Sequence, residues 1–256
     1  MKFWITTLLF SVALESAGQK LLLGPFLGGQ VSQPMYDDKS YEDRYQPAWM
    51  PGFQAGMSSV WLASEKFALA HDLYYTQVGK KISGDAGLTQ FTEYHQQLGT
   101  SVVFRVILGD KRFKYYAGVG PNVRYWLRSN GMANLPELFE IYETNDPLRY
   151  TLRMSDGQVS NREVFFITEP NRFQLGIDFN AGVLIPMKRQ WLGVDFRYVW
   201  GHTNMAKPES TYTSFAFFED NLEHTHHSVQ VSLSYLFSFD LFEITHKGKR
   251  TNKKER

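Results

Sequence analysis

The side chains best suited to chemistry in this chain of 256 residues are imidazoles: it has seven histidines and no cysteine. His224-Thr-His226-His227 sets three of them within four positions, and His202 lies upstream, at the end of another extended segment. Adjacent strands could gather His202, His224, His226 and His227 at one rim, where imidazole suits zinc, copper or nickel. Only Glu223 stands beside them as an acid. Without cysteine there is no thiolate site and no disulfide framework. The other candidate is His71, but a hydrolytic site needs a serine, a base and an orienting acid together. The chain has no Gly-x-Ser-x-Gly elbow. We therefore expect no catalytic residues, no enzyme and no cofactor, and hold metal binding at the four histidines as a minor alternative.

Bulk charge narrows the partners. Lys+Arg 27 against Asp+Glu 26 leaves a net charge of +1, which excludes nucleic-acid binding driven by charge. Residues 1–18 read as a signal peptide. Met1-Lys2 is followed by the apolar run Phe3–Leu14 and by Ser16-Ala17-Gly18.

The elements that must position any site are strands. Phe113, Tyr115, Ala117, Val119, Pro121, Val123, Tyr125 and Leu127 alternate with Lys114, Tyr116, Gly118, Gly120, Asn122, Arg124 and Trp126. The same two-residue period runs through Phe173–Ile185, Leu192–Trp200 and Ser228–Phe237. It is weaker in Lys20–Val31, Phe53–Trp61, Phe67–Gln77 and Gln97–Leu108. Period two means strand, so eight strands are expected. Short turns near 62–66, 109–112 and 186–190 alternate with long connections near 32–50, 78–96, 128–172 and 201–227. This is the order of an up-and-down barrel with short periplasmic turns and long extracellular loops.

Alternation does not say which face is inside. A soluble lipocalin-like barrel points its apolar face inward; a membrane barrel points it outward. Size decides, because the interior of an eight-stranded barrel is only just filled by side chains. The aromatic rings of the apolar face would overfill it, whereas the Gly, Ser, Asn, Gln and Asp of the other face fit. Phe113, Tyr115, Tyr235 and Phe237 then form one girdle near the short turns, and Tyr125, Phe173, Tyr198 and Trp200 a second near the long loops. Asp72, Arg105, Lys114, Arg124, Asp178, Asp195 and Arg197 point into the lumen, where acids and bases must pair. Parity leaves His71 on the apolar face, as an exception.

Phe53-x-Ala-Gly56, Leu73-Tyr-Tyr-Thr-Gln77-x-Gly79-Lys80 and Tyr116-Ala-Gly118-x-Gly-Pro121 resemble the outer-membrane β-barrel domain abundant in Bacteroidetes, the porin-like family that includes PorT-like proteins. The likeness runs over Lys20–Phe237. It implies an eight-stranded barrel in the bacterial cell outer membrane and, for some members, accessory work in type IX protein secretion or gliding. It implies no catalytic residues.

We thus expect an all-β chain: barrel over 19–242, and a basic periplasmic tail over 243–256. The segment from His246 to Arg256 holds six basic residues and one acid. In the 128–172 connection, Leu135–Tyr142 could form a short helix and Val164–Ile167 an extra hairpin strand. Tyr212–Phe218 supplies an aromatic cluster. The expected partners are outer-membrane lipid and a protein met through the long loops or the tail. The expected role is structural or accessory in an outer-membrane assembly. A small solute channel and a lipid-modifying enzyme using His71 are the alternatives.

Overall fold

The computed structural model describes residues 20–37, 39, 46–83, 90–109, 112–134, 147–154, 164–167, 170–188, 190–206 and 223–240. The expected signal peptide, the Leu135–Tyr142 helix, the Tyr212–Phe218 cluster and the basic tail lie outside them. Among the described residues there are eleven strands: β1 (Lys20–Tyr36), β2 (Gln46–Ala48), β3 (Met50–Leu62), β4 (Phe67–Ser83), β5 (Gln90–Gly109), β6 (Lys114–Asn134), β7 (Leu148–Arg153), β8 (Val164–Phe166), β9 (Phe173–Pro186), β10 (Gln190–Gly201) and β11 (His224–Asp240).

Eight of these close a ring by antiparallel pairing in the order β1-β3-β4-β5-β6-β9-β10-β11 and back to β1. Stepping once around by partners, from Lys20 through Leu62, Ala68, Arg105, Gly118, Asn180, Arg197 and Gln230, arrives at Gln30, ten residues further along β1. That stagger tilts the strands as closure demands.

Outward residues are apolar and exposed on every barrel strand, as with Leu27, Met57, Leu73, Phe104, Val119, Leu175, Phe196 and Leu233. Inward neighbours are buried, many of them polar or charged. Closing the sheet removes the free edges that an open one would present to lipid. The chain is a transmembrane barrel of the bacterial outer-membrane kind.

The strands are longer than expected. A tilted strand crosses a bilayer in about 9–11 residues, yet β5 has 20 and β6 has 21. Their loop-side halves therefore stand beyond the membrane. The connections placed at 32–50, 78–96 and 201–227 are correspondingly shorter: β1 runs to Tyr36, β4 to Ser83, β5 starts at Gln90 and β11 at His224. The Val164 segment does form a strand, but β8 pairs in parallel with β7, so it is not half of a hairpin.

Where the wall leaves the membrane, its polarity reverses. Ile82, Phe91, Ala133, Tyr150, Leu152, Ile167 and Met205 pack inside as an apolar cap with Tyr36 and Trp126. At the short-turn end a second apolar cluster, including Leu22, Val60, Val103, Ile107, Leu184, Trp191 and Leu236, fills the lumen. Polar layers lie between these two plugs.

Candidate functional site

The deeper polar layer is an ion cluster reaching across the barrel. Arg197 on β10 bonds Asp72 on β4, the strand on the opposite wall, and Asp178 Oδ2 at 3.2 Å, and its charge lies 3.4 Å from Asp195 Oδ1 as an ion pair. Arg105 reaches the other oxygen of Asp195 at 3.3 Å, where the Tyr116 hydroxyl donates at 2.7 Å and Asn180 at 3.1 Å. Asn122 donates to Asp178 and to the Tyr74 hydroxyl, and Arg197 also reaches Ser101. The Arg105 guanidinium lies 4.3 Å over the Tyr116 ring.

Local sequence makes room for these long side chains. Tyr74 stands opposite Gly99, and Tyr116 opposite Gly182, in the strand register. A Cβ at Gly99 would lie 2.5 Å from the Tyr74 ring, and one at Gly182 would collide with the Tyr116 hydroxyl. Glycine lets each ring lie along the wall and aim its hydroxyl at the cluster.

Of the seven lumen charges expected, five therefore meet in one cluster: Asp72, Arg105, Asp178, Asp195 and Arg197. Arg124 is buried in the lumen outside those ion pairs. Lys114 is half-buried at the short-turn rim, where its strand begins, and is no part of the cluster. Beside the cluster is a cavity of about 20 Å³, room for about one water molecule.

Above the ions sits a layer of amides. Gln230 donates to Gln30 at 2.9 Å, and Gln30 donates to Thr76 at 2.8 Å and to the Gln77 carbonyl at 2.6 Å. Above these again is a histidine layer, and here the sequence reading needs correcting. His224 and His226 point inward and are buried, but His202 is exposed at the rim and His227 points outward, bonded to the Tyr198 hydroxyl at 2.7 Å. The imidazole that joins the inward pair is His95 on β5, within the 78–96 stretch expected as a connection. The signal that could have found it is the inward parity of Phe91, Glu93, His95 and Gln97, continuous with Ser101 and Arg105.

The girdle residues lie on the exterior. Near the short turns Phe113 and Tyr115 stack at 6.3 Å, and Tyr235 and Phe237 meet edge-on at 5.3 Å. Near the long loops Tyr125 and Phe173 touch at 5.1 Å, with Arg172 at 4.7 Å over Tyr125, and Phe179 lies 6.5 Å from Tyr198. Trp200 is exposed on the same side. His71 is exposed on the outer wall and bonds Thr100 across the β4–β5 pair at 3.0 Å.

No protein-family model matches the chain. No curated protein matches it either. Among solved structures it is similar to the outer membrane protein OprG from Pseudomonas aeruginosa, at 11% identity and a TM-score of 0.45 over 88% of this chain and 97% of that one. It is similar to Ail, the attachment invasion locus protein of Yersinia pestis, at 10% identity and 0.38 over 88% and 100%. The outer membrane protease OmpT from Escherichia coli aligns at 8% identity and 0.43 over 90% and 100%.

Proposed function

We propose that this chain is a closed, non-enzymatic outer-membrane barrel that serves as a structural or accessory component of a larger assembly, with outer-membrane lipid around it and a protein partner at its loops. The observation that carries this reading is the lumen. Between its apolar plugs it is crossed by the ion cluster, the amides and the histidines, so a solute would have to displace a paired charge layer. A barrel filled in this way works through its surfaces. The resemblance of its Phe53, Leu73–Lys80 and Tyr116 motifs to the PorT-like family supports a finer reading, accessory work in protein secretion of the type IX kind. Against a lipid-modifying enzyme, His71 is engaged by the Thr100 hydroxyl on the lipid-facing wall.

Planar bilayers test the first half: the purified full chain should give no steady conductance, and stable single-channel openings would replace this reading with the porin-like one. Purification from its own membranes in mild detergent tests the second half. A stoichiometric companion protein is expected, and a clean monomer would overturn the assembly role.

A further inference from the structure

Three imidazoles meet in the upper lumen from opposite walls. His95 comes from β5 and His224 and His226 from β11, four strands apart either way around the ring. All three are at least 97% buried, and one ring nitrogen from each lies within 4.8 Å of the other two. Ring centres are 4.9 Å apart for His95 and His226 and 5.0 Å for His224 and His226.

Hydrogen bonding leaves this layer incomplete. Nδ1 of His95 shares a hydrogen bond with the Ser129 hydroxyl at 2.6 Å, and that hydroxyl also accepts the Trp126 indole N–H at 2.9 Å. This fixes the ring, and its Nε2 makes no hydrogen bond at all, lying 3.8 Å from a Glu93 carboxylate oxygen. His226 is less satisfied still: neither of its ring nitrogens has a hydrogen-bond partner, although the side chain is buried. Buried polar atoms are normally satisfied, so each such orphan calls for an explanation.

We propose that His95, His224 and His226 bind one divalent transition-metal ion of the zinc class. Three neutral imidazoles are a recurrent zinc donor set, and with no cysteine in the chain no thiolate competes for the ion. Nitrogens on a tetrahedral ion sit roughly 3.4 Å apart, so small ring rotations bring the three into range. The Ser129 bond to the far nitrogen of His95 is the outer-sphere contact that orients a ligating histidine. Glu93, which faces Lys80 across the β4–β5 pair, supplies a carboxylate beside the ion. Bound metal would tie opposite walls together at the mouth of the barrel, directly below its apolar cap.

The test uses the full chain, refolded in detergent with zinc present and then freed of excess by gel filtration. One zinc per chain should remain by elemental analysis. Cobalt in its place should give the visible absorption of a tetrahedral, nitrogen-rich site. H226A should lose the metal and the absorption, whereas H202A and H227A should retain both. No retained metal in the wild type would overturn the proposal without any variant. Equal retention by wild type and H226A would overturn it too, by placing the metal at exposed histidines. Should H226A fail to fold, the cobalt spectrum of the wild type decides alone.

Discussion

The ion layer and the histidine layer are built alike and finished differently. Each joins opposite walls of the same ring, Arg197 to Asp72 below and His226 to His95 above. Below, the chain supplies both signs of charge, and each of three aspartates touches a guanidinium. Above, it supplies three groups of one kind, and their facing nitrogens include some that bond nothing. A layer that contains its own counter-charge is complete on folding. A layer of lone-pair donors is completed only from outside. Desolvation makes the distinction sharp, since a buried charge costs several kcal/mol when unpaired, whereas a neutral imidazole costs far less.

The largest effect should come from breaking the complete layer. Arg197→Leu removes the group that three carboxylates share, and stranding buried charge costs about 3–5 kcal/mol. Urea unfolding in detergent, followed by tryptophan fluorescence, should show that loss. A cost under about 1 kcal/mol would mean that the acids are not held as ions there.

Metal removal comes next and should act on the upper layer alone. If free zinc stands one hundredfold above its dissociation constant, chelation should lower stability by about 2.7 kcal/mol. The same drop is expected in Arg197→Leu, because the layers are well separated: Arg197 is in register with Gln230, four residues along β11 from His226. Unequal drops would couple the layers and blur the contrast.

A smaller effect probes how the lower layer is trimmed. Tyr116→Phe deletes the hydroxyl that donates to Asp195 at 2.7 Å and keeps the ring against Arg105 and Gly182. Hydrogen bonds to charged groups contribute about 1.5–3 kcal/mol, and Asn180 and Arg105 still hold the carboxylate, so the lower end is expected. The same unfolding assay reads it. A loss as large as that of Arg197→Leu would make the hydroxyl, not the guanidinium, the centre of the layer.

The two layers also differ in how well the sequence shows them. Around the ion cluster the outer wall meets lipid, so every second residue must be apolar, and Val119, Phe179 and Phe196 print the strand plainly. Asp72, Asp178, Asp195 and Arg197 follow by parity. Around the histidines the outer wall meets water. There Thr92, Tyr94 and Gln96 face out while Phe91 and His95 face in, so the amphipathic signal inverts and reads as loop. A bulge adds to the loss: between Gln96 and Gln97 the β6 partner jumps from Arg128 to Trp126, so Leu127 is extra. Parity carried up β6 from Trp126 then assigns Ser129 and Ala133 to the wrong face. His202 misled for the simplest reason, since nearness to a rim in sequence says nothing about which way a ring points.

The smallest expected change is the most discriminating. His226→Phe replaces an imidazole with a ring of similar size in a pocket where neither nitrogen is bonded. In metal-free protein this exchanges two unsatisfied polar atoms for carbon, which is nearly neutral or stabilising when shape is kept. The expected shift in unfolding free energy is within about 1 kcal/mol, in either direction. In zinc, the same substitution should remove the whole metal-dependent gain. A change of that form, silent without metal and costly with it, belongs to a ligand. A loss of several kcal/mol in chelator would instead make His226 part of the folded core, finished on its own like Arg197, and the contrast between the two layers would disappear.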